Sequence, residues 1–276
     1  MNIFLVSTIF SSIAAVIWLF FIYRLDEYEK EPFGLIVKVF LGGIVFSFVA
    51  LFLNTVVEKS FGLGYGLITV GFIEEAVKIV PVLLIAYKSR YFNEPMDGLF
   101  YAGVASLGFG FMENIIYNQN IITHFQDKSL SFLLFRGTIP FVHVLLASFW
   151  GYALGLYKQK VYDGKKLFFA YLLSSVIHSS YDLLVTFSTI FSFVIIILLV
   201  LFTHRIKYLN RISPLNDKYL IECKKCSKKI LSNSIFCQNC GYKITYLSNY
   251  KIFCKNCQKQ VRRKWRFCQS CGVKMG

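Results

Sequence analysis

Long apolar runs separated by short polar loops dominate the first three quarters of the chain. They occupy residues 3–23, 35–56, 67–87, 99–119, 137–157, 167–186 and 188–203. A hydrocarbon core about 30 Å thick takes roughly 20 helical residues to cross, so the pattern predicts about seven transmembrane helices. The last two are joined almost directly. The first run has no basic stretch before it and is long for the apolar core of a signal peptide, so it is expected as an uncleaved first span. Beyond residue 203 the apolar runs stop.

Composition agrees with the pattern. The 276 residues are 56% hydrophobic and only 16% charged, outside the balance of a soluble domain. Charge is uneven: 13 Lys and Arg face 13 Asp and Glu through Thr203, whereas the remainder has 17 against 2, so the net +15 belongs to the tail. The loops after the first, third and fifth runs carry Arg24 and Lys30, Lys88 and Arg90, and Lys158, Lys160, Lys165 and Lys166; the alternate loops carry fewer, Lys59 and Lys128 among them. Basic loops stay in the cytosol, which places the N-terminus outside and the tail inside.

All eight cysteines lie in that tail. A cytosolic setting disfavours disulfides and points to metal. Two copies of C-x2-C-x10-C-x2-C align at an offset of 31 residues, matching Cys223, Cys226, Cys237 and Cys240 with Cys254, Cys257, Cys268 and Cys271. Each set can supply four thiolates to one tetrahedral Zn²⁺, and Gly241 and Gly272 follow the second pair where the chain must turn tightly. Redox chemistry is the weaker reading, because paired motifs at matched spacing are a ligand pattern. Four thiolates leave no open position, so two structural zinc ions in tandem zinc ribbons are expected, driving the folding of modules too small for a core. The basic clusters around Lys224, Lys228 and Arg262 suit anionic lipid or an acidic protein better than nucleic acid.

The apolar runs also carry charges. Glu74, Glu75 and Lys78 sit in the third, Glu113 with Asn114 and Tyr117 in the fourth, His143 in the fifth, and His178 and Asp182 in the sixth. Each charge near a span centre costs about 2.5–3.5 kcal/mol on insertion scales. Counting residues along spans of opposite direction puts all four groups at one depth, on the order of 5–15 Å below the outer boundary. A buried ion network that specifies packing is the bland alternative. Hydrolysis by activated water is the sharper one. HExxH, GxGD and GxSG motifs are all absent, which leaves Glu and His as the groups able to activate water; Ser106 reads as a packing residue.

The segments "EEAVK" (74–78), "DGLFYAGVASLGFGFMENIIY" (97–117), "HVLLASFWG" (143–151) and "HSSYD" (178–182), with the loop "YRLDEYEKEP" (23–32), resemble the PrsW family of intramembrane proteases. That family is distantly similar to the type II CAAX prenyl proteases. The resemblance covers about residues 20–190. It implies a membrane-embedded peptidase that cleaves a membrane protein, in the founding case an anti-sigma factor, on its extracytoplasmic side. Against the CAAX pattern, Lys78 stands one position early and Glu113 replaces a histidine, so mechanism transfers from that clan only loosely.

The expected chemistry has Glu74 or Glu75 as general base, Lys78 balancing charge, and His178, oriented by Asp182, acting with His143 on the scissile carbonyl. Glu113, His143 and His178 are the alternative ligands of a catalytic Zn²⁺. Tyr117 and Asn114 are candidate oxyanion donors or supports, Asp97 reads as a helix N-cap, and the glycines of the fourth and fifth spans, Gly108 and Gly151 among them, serve helix packing. His124 and His204 carry no expected role. The competing functions are an ion or proton transporter, which would spread its acids along the membrane depth, and an inactive docking protein. The expected architecture is an all-α polytopic membrane protein with two small zinc-ribbon modules: a protease domain at 1–203, a basic linker at 204–220, and ribbons at 221–245 and 252–276.

Overall fold

The computed structural model describes residues 3–124, 135–184, 188–216 and 220–231, and in the remaining tail 236–237, 240–243, 251–254, 256–257, 260–262, 271 and 273. These fall into two compact units, Met1–Arg211 and Ile212–Gly276.

The first unit is helical: α1 Ile3–Leu25, α2 Phe33–Phe61, α3 Leu63–Pro81 running into a π-helical turn Val82–Ala86, α4 Pro95–His124, α5 Ile139–Lys158, α6 Gly164–Leu184 and α7 Ser188–Ile212. Four contain segments long and apolar enough to cross a membrane: Leu5–Leu25, Phe33–Phe61, Pro95–Asn118 and Ile139–Lys158. The other three predicted spans are helices as well; α3 carries Glu74, Glu75 and Lys78 inside its apolar run, α6 carries Asp182 in its run with Lys165 and Lys166 before it, and Arg205, Lys207 and Arg211 of α7 follow an uncharged run.

Helix contacts close a ring. α2 packs on α3, α3 on α6, α6 on α5, α5 on α4, and α4 back on α2, while α1 lies outside against α4. α5 is buried along nearly its whole length, whereas α1 and α2 turn Val16, Phe20, Phe48 and Phe52 outward, as lipid-facing helices do. Small residues set the closest seam. A Cβ on Gly43 would strike the Ala105 carbonyl, and one on Gly108 the Phe40 carbonyl, so α2 and α4 cross backbone to backbone.

Two local features follow from single residues. Pro81 has no N–H to give Val77, and the ladder resets behind it: the Tyr87 N–H donates to the Val82 carbonyl at 2.9 Å, five residues back, the spacing of a π turn. At the start of α4, Asp97 is not the N-cap. It stands in the first turn and its Oδ2 accepts from the N–H groups of Asn93 (2.6 Å) and Glu94 (2.7 Å), reaching back as the third residue of a capping box does.

In the second unit, β1 Leu220–Glu222 pairs antiparallel with β2 Lys229–Leu231, Ile221 opposite Ile230, and β3 Lys251–Phe253 pairs with β4 Gln260–Arg262. The buried interior of the first module is Cys223, Ile230 and Cys237.

Candidate active site and zinc ribbons

Each helix of the ring sends a polar group inward. Asn54 comes from α2, Glu74 from α3, Glu113 from α4, His143 from α5, and His178 and Asp182 from α6; all line one cavity of about 500 Å³, with Arg136 and Tyr117 also on its wall. Glu75 and Lys78 stand behind the wall, with side chains that have no exposed surface.

The two adjacent glutamates do different work. Glu75 is held. Its Oε1 accepts from Lys78 Nζ (2.9 Å) and from His178 Nδ1 (2.8 Å), and its Oε2 from Trp150 Nε1 (2.8 Å) and from the Ser174 hydroxyl (3.2 Å), which also reaches the Leu146 carbonyl. Three N–H donors hold Glu75, and the single Ser174 hydroxyl proton is shared between its Oε2 and the Leu146 carbonyl, so Glu75 is committed to the wall. Glu74 faces the cavity. Its Oε1 is 3.4 Å from the Asn54 amide, and its Oε2 lies 3.6 Å from both Lys78 Nζ and His178 Nε2. Successive helix positions point about 100° apart, which is enough to put one carboxylate in the wall and the next in the space it encloses.

His178 is oriented by Glu75 rather than by Asp182. A carboxylate 2.8 Å from Nδ1 fixes the proton there and leaves Nε2 as a bare lone pair facing Glu74, the arrangement that prepares a histidine to bind metal. Asp182 Oδ2 is 3.8 Å from Nε2 and beyond hydrogen-bond reach. His143 is set differently: Lys78 Nζ is 3.0 Å from its Nδ1, and its Nε2 is 2.7 Å from Glu113 Oε2. That last pair is close but not aligned as a hydrogen bond, so both buried atoms lack one. The two imidazole centroids are 5.2 Å apart.

Orphaned donors at such a point fit a metal ion. Glu74, His143 and His178 bring one ligand atom each within 4.8 Å of one another, a nitrogen and oxygen set that zinc accepts. Of the predicted trio, Glu113 lies 2.7 Å from His143 Nε2, while the group whose atoms all come within 4.8 Å joins the two histidines with Glu74.

Some polar residues serve as supports. Asn114 is buried and donates to the Arg136 carbonyl at 2.9 Å, tying α4 to the segment before α5; Tyr117 is half exposed under the Arg136 guanidinium. Arg136, Asn54, Trp150 and Ser174 escaped the sequence reading. His204 is exposed, and the side chain of His124 lies outside the described residues.

In the first ribbon, Cys223 Sγ is 3.7 Å from Cys240 Sγ and Cys226 Sγ 3.7 Å from Cys237 Sγ. Bonds of about 2.3 Å to a central zinc put tetrahedral sulfurs about 3.8 Å apart, so the four thiols fit that ion. Gly241 turns with φ +69°, where a side chain would be strained. Cys254, Cys257 and Cys271 gather in the second module; Cys268 and Gly272 lie outside the described residues.

Comparison with known proteins matches residues 31–204 to the PrsW family intramembrane metalloprotease and residues 223–272 to the double zinc ribbon. The Protease PrsW of Bacillus subtilis (strain 168) is 29% identical over 174 residues, spanning 60% of this chain and 76% of that protein. That of Clostridioides difficile (strain 630) is 27% identical over 225 residues, 77% and 91% respectively, and that of Halalkalibacterium halodurans 32% over 189 residues, 66% and 85%. No solved structure matches. With well over half its length matched to the family in one continuous segment, the chain belongs to the PrsW family of intramembrane metalloproteases and carries a double zinc ribbon behind the protease region.

Proposed function

We propose that the chain cleaves a membrane-protein substrate in the cavity ringed by α2 to α6, with Glu113 accepting the proton of the attacking water and Glu74, His143 and His178 holding a zinc ion. The observation that carries this reading is the bare His178 Nε2 fixed by Glu75 beside Glu74. A bound Zn²⁺ would polarise the scissile carbonyl and make water acidic enough to ionise near neutral pH.

The protein's own groups supply the rest. Glu113 lines the cavity, and its Oε2, 2.7 Å from His143 Nε2, has no aligned hydrogen bond of its own; this carboxylate would take a proton from water and return it to the leaving amine. Arg136, 3.5 Å from the other Glu113 oxygen, holds that carboxylate in place. Glu75, gripped by Trp150, Ser174 and Lys78, keeps the His178 imidazole in one tautomer. His143 joins through Nε2 in the tautomer protonated on Nδ1, which requires Lys78 to swing its donation toward Glu74. Seven spans with the N-terminus outside would set the cavity toward the extracytoplasmic side and the ribbons, each with one structural zinc, in the cytosol beside anionic lipid or an acidic partner. Concentration of the acids around one cavity favours hydrolysis over ion transport along the membrane depth.

The test is cleavage of tagged single-span membrane proteins by the purified chain in detergent, comparing wild type with Glu113→Gln and His178→Ala. Glu113→Gln should cut rate while keeping a third zinc ion per chain; His178→Ala should lose both. Wild-type cleavage undiminished in either variant overturns the assignment, and full activity with only the two ribbon ions overturns the metal.

A further inference from the structure

A second group of acids is buried where the α1–α2 loop meets the start of α4, and no part of the cavity chemistry uses it. Asp26, Glu94 and Asp97 place a carboxylate oxygen each within 4.8 Å of one another. Their exposures are 1%, 0% and 1%, and Glu31, at 4%, joins them. Acids this deeply buried without matching cations cost several kcal/mol each if ionised.

Their hydrogen bonds divide in a telling way. Asp26 Oδ1 accepts from the Tyr28 N–H at 3.3 Å, Asp97 Oδ2 from the Asn93 and Glu94 N–H groups, and Glu31 Oε2 from the Tyr101 hydroxyl. The second oxygen of each, Asp26 Oδ2, Asp97 Oδ1 and Glu31 Oε1, is buried and has no donor. In each of these three carboxylates one oxygen is thus clamped and the other has no donor. Glu31 stands outside the close trio, yet its carboxyl interacts directly with Asp97. The Lys30 ammonium, beside Asp26, donates to the backbone carbonyls of Tyr23 and Asp26.

We infer that Asp26, Glu31, Glu94 and Asp97 form a binding site for a hard divalent cation that ties the 26–32 loop to the first turn of α4. An all-oxygen set of carboxylates is the chemistry of Mg²⁺ and Ca²⁺ rather than of zinc. The site is separate from the proposed catalytic one in ligands and in preferred metal, and it stands or falls independently of it.

Tb³⁺, a hard ion excited through neighbouring tyrosine, probes the full-length protein in detergent without stripping the ribbons. Tyr101, bonded to Glu31, serves as the antenna. Wild type should give a saturable tyrosine-sensitised signal that Mg²⁺ or Ca²⁺ displaces, the stronger competitor identifying the native ion. Asp26→Asn with Glu31→Gln should weaken Tb³⁺ binding at least tenfold, while Glu74→Gln with Glu113→Gln in the cavity should leave it within twofold. The amide variant should melt no lower than wild type in cation-free buffer, since repulsion between buried acids is gone, and should lose the wild-type rise in melting temperature on adding the winning ion. Absence of a saturable signal, an equal signal in the amide variant, or loss only in the cavity variant overturns the site; carboxyls that merely share protons give the first of these results.

Discussion

The helical ring and the ribbons gather metal-binding side chains by opposite means. In the ribbon, the described residues of the first module form a small buried cluster of Cys223, Cys237 and Ile230, with Ile221, Cys226 and Cys240 against it. Without an ion the thiols have no reason to meet. In the ring, Glu74, His143 and His178 come from three helices already fixed by backbone-close seams and by partners such as Trp150 and Ser174. The ribbon site is made by its metal, whereas the side chains of the ring are brought together by helix packing. The difference teaches that a ligand set on packed helices can be tuned residue by residue, whereas a ribbon tolerates little beyond four thiolates at the right spacing.

That contrast is breakable at several points. The largest effect is expected from Glu113→Gln, which should lower the cleavage rate about 10²–10⁴-fold, the usual worth of a positioned proton acceptor, with zinc content unchanged by elemental analysis. Next is Lys78→Met. Removing the cation from between Glu75, Glu74 and His143 leaves a buried carboxylate uncompensated, at about 3–5 kcal/mol, read as a lower melting temperature of the ring in detergent; an unchanged melting point would mean the lysine is not integral. Trp150→Phe keeps the packing and deletes one donor to Glu75, so kcat should fall about 10–100-fold, as for other supports of a ligating histidine, with KM held. The smallest effect on the ring comes from the ribbon: Cys223→Ser, or chelation, should expose the tail beyond residue 220 to protease while the helical circular dichroism and melting of the ring stay put. Collapse of both together would erase the distinction.

Much of this was legible from residue order alone. Among the described residues seven helices follow the apolar runs, the cysteine spacing announces the ribbons, and Glu74, Glu75, Lys78, Glu113, His143, His178 and Asp182, which line or back the cavity, are those out of place in an apolar run. The partition of labour was not legible. Glu74 and Glu75 are chemically identical neighbours, and only the rotation of α3 against α6 decides which meets His178 Nδ1. Trp150 and Ser174 look like ordinary span residues, since one indole N–H or one hydroxyl leaves no mark on hydropathy. Arg136 sits before α5 and reads as a loop charge. Asp97 misled for a related reason: an acid near a helix start suits either the cap or the turn that reaches back to it, and only Pro95 opening the helix decides.

The size of the cavity has a consequence for what can be cut. A helix with its side chains is about 10–12 Å across, so some 500 Å³ holds little more than a single coil of one, and a coiled segment keeps its carbonyls engaged and shielded. Cleavage in the proposed site would therefore call for a frayed substrate. Choice among membrane proteins would then rest less on side-chain identity than on how readily the strand near the scissile bond comes undone, which favours targets with glycine or proline a few positions from the cut.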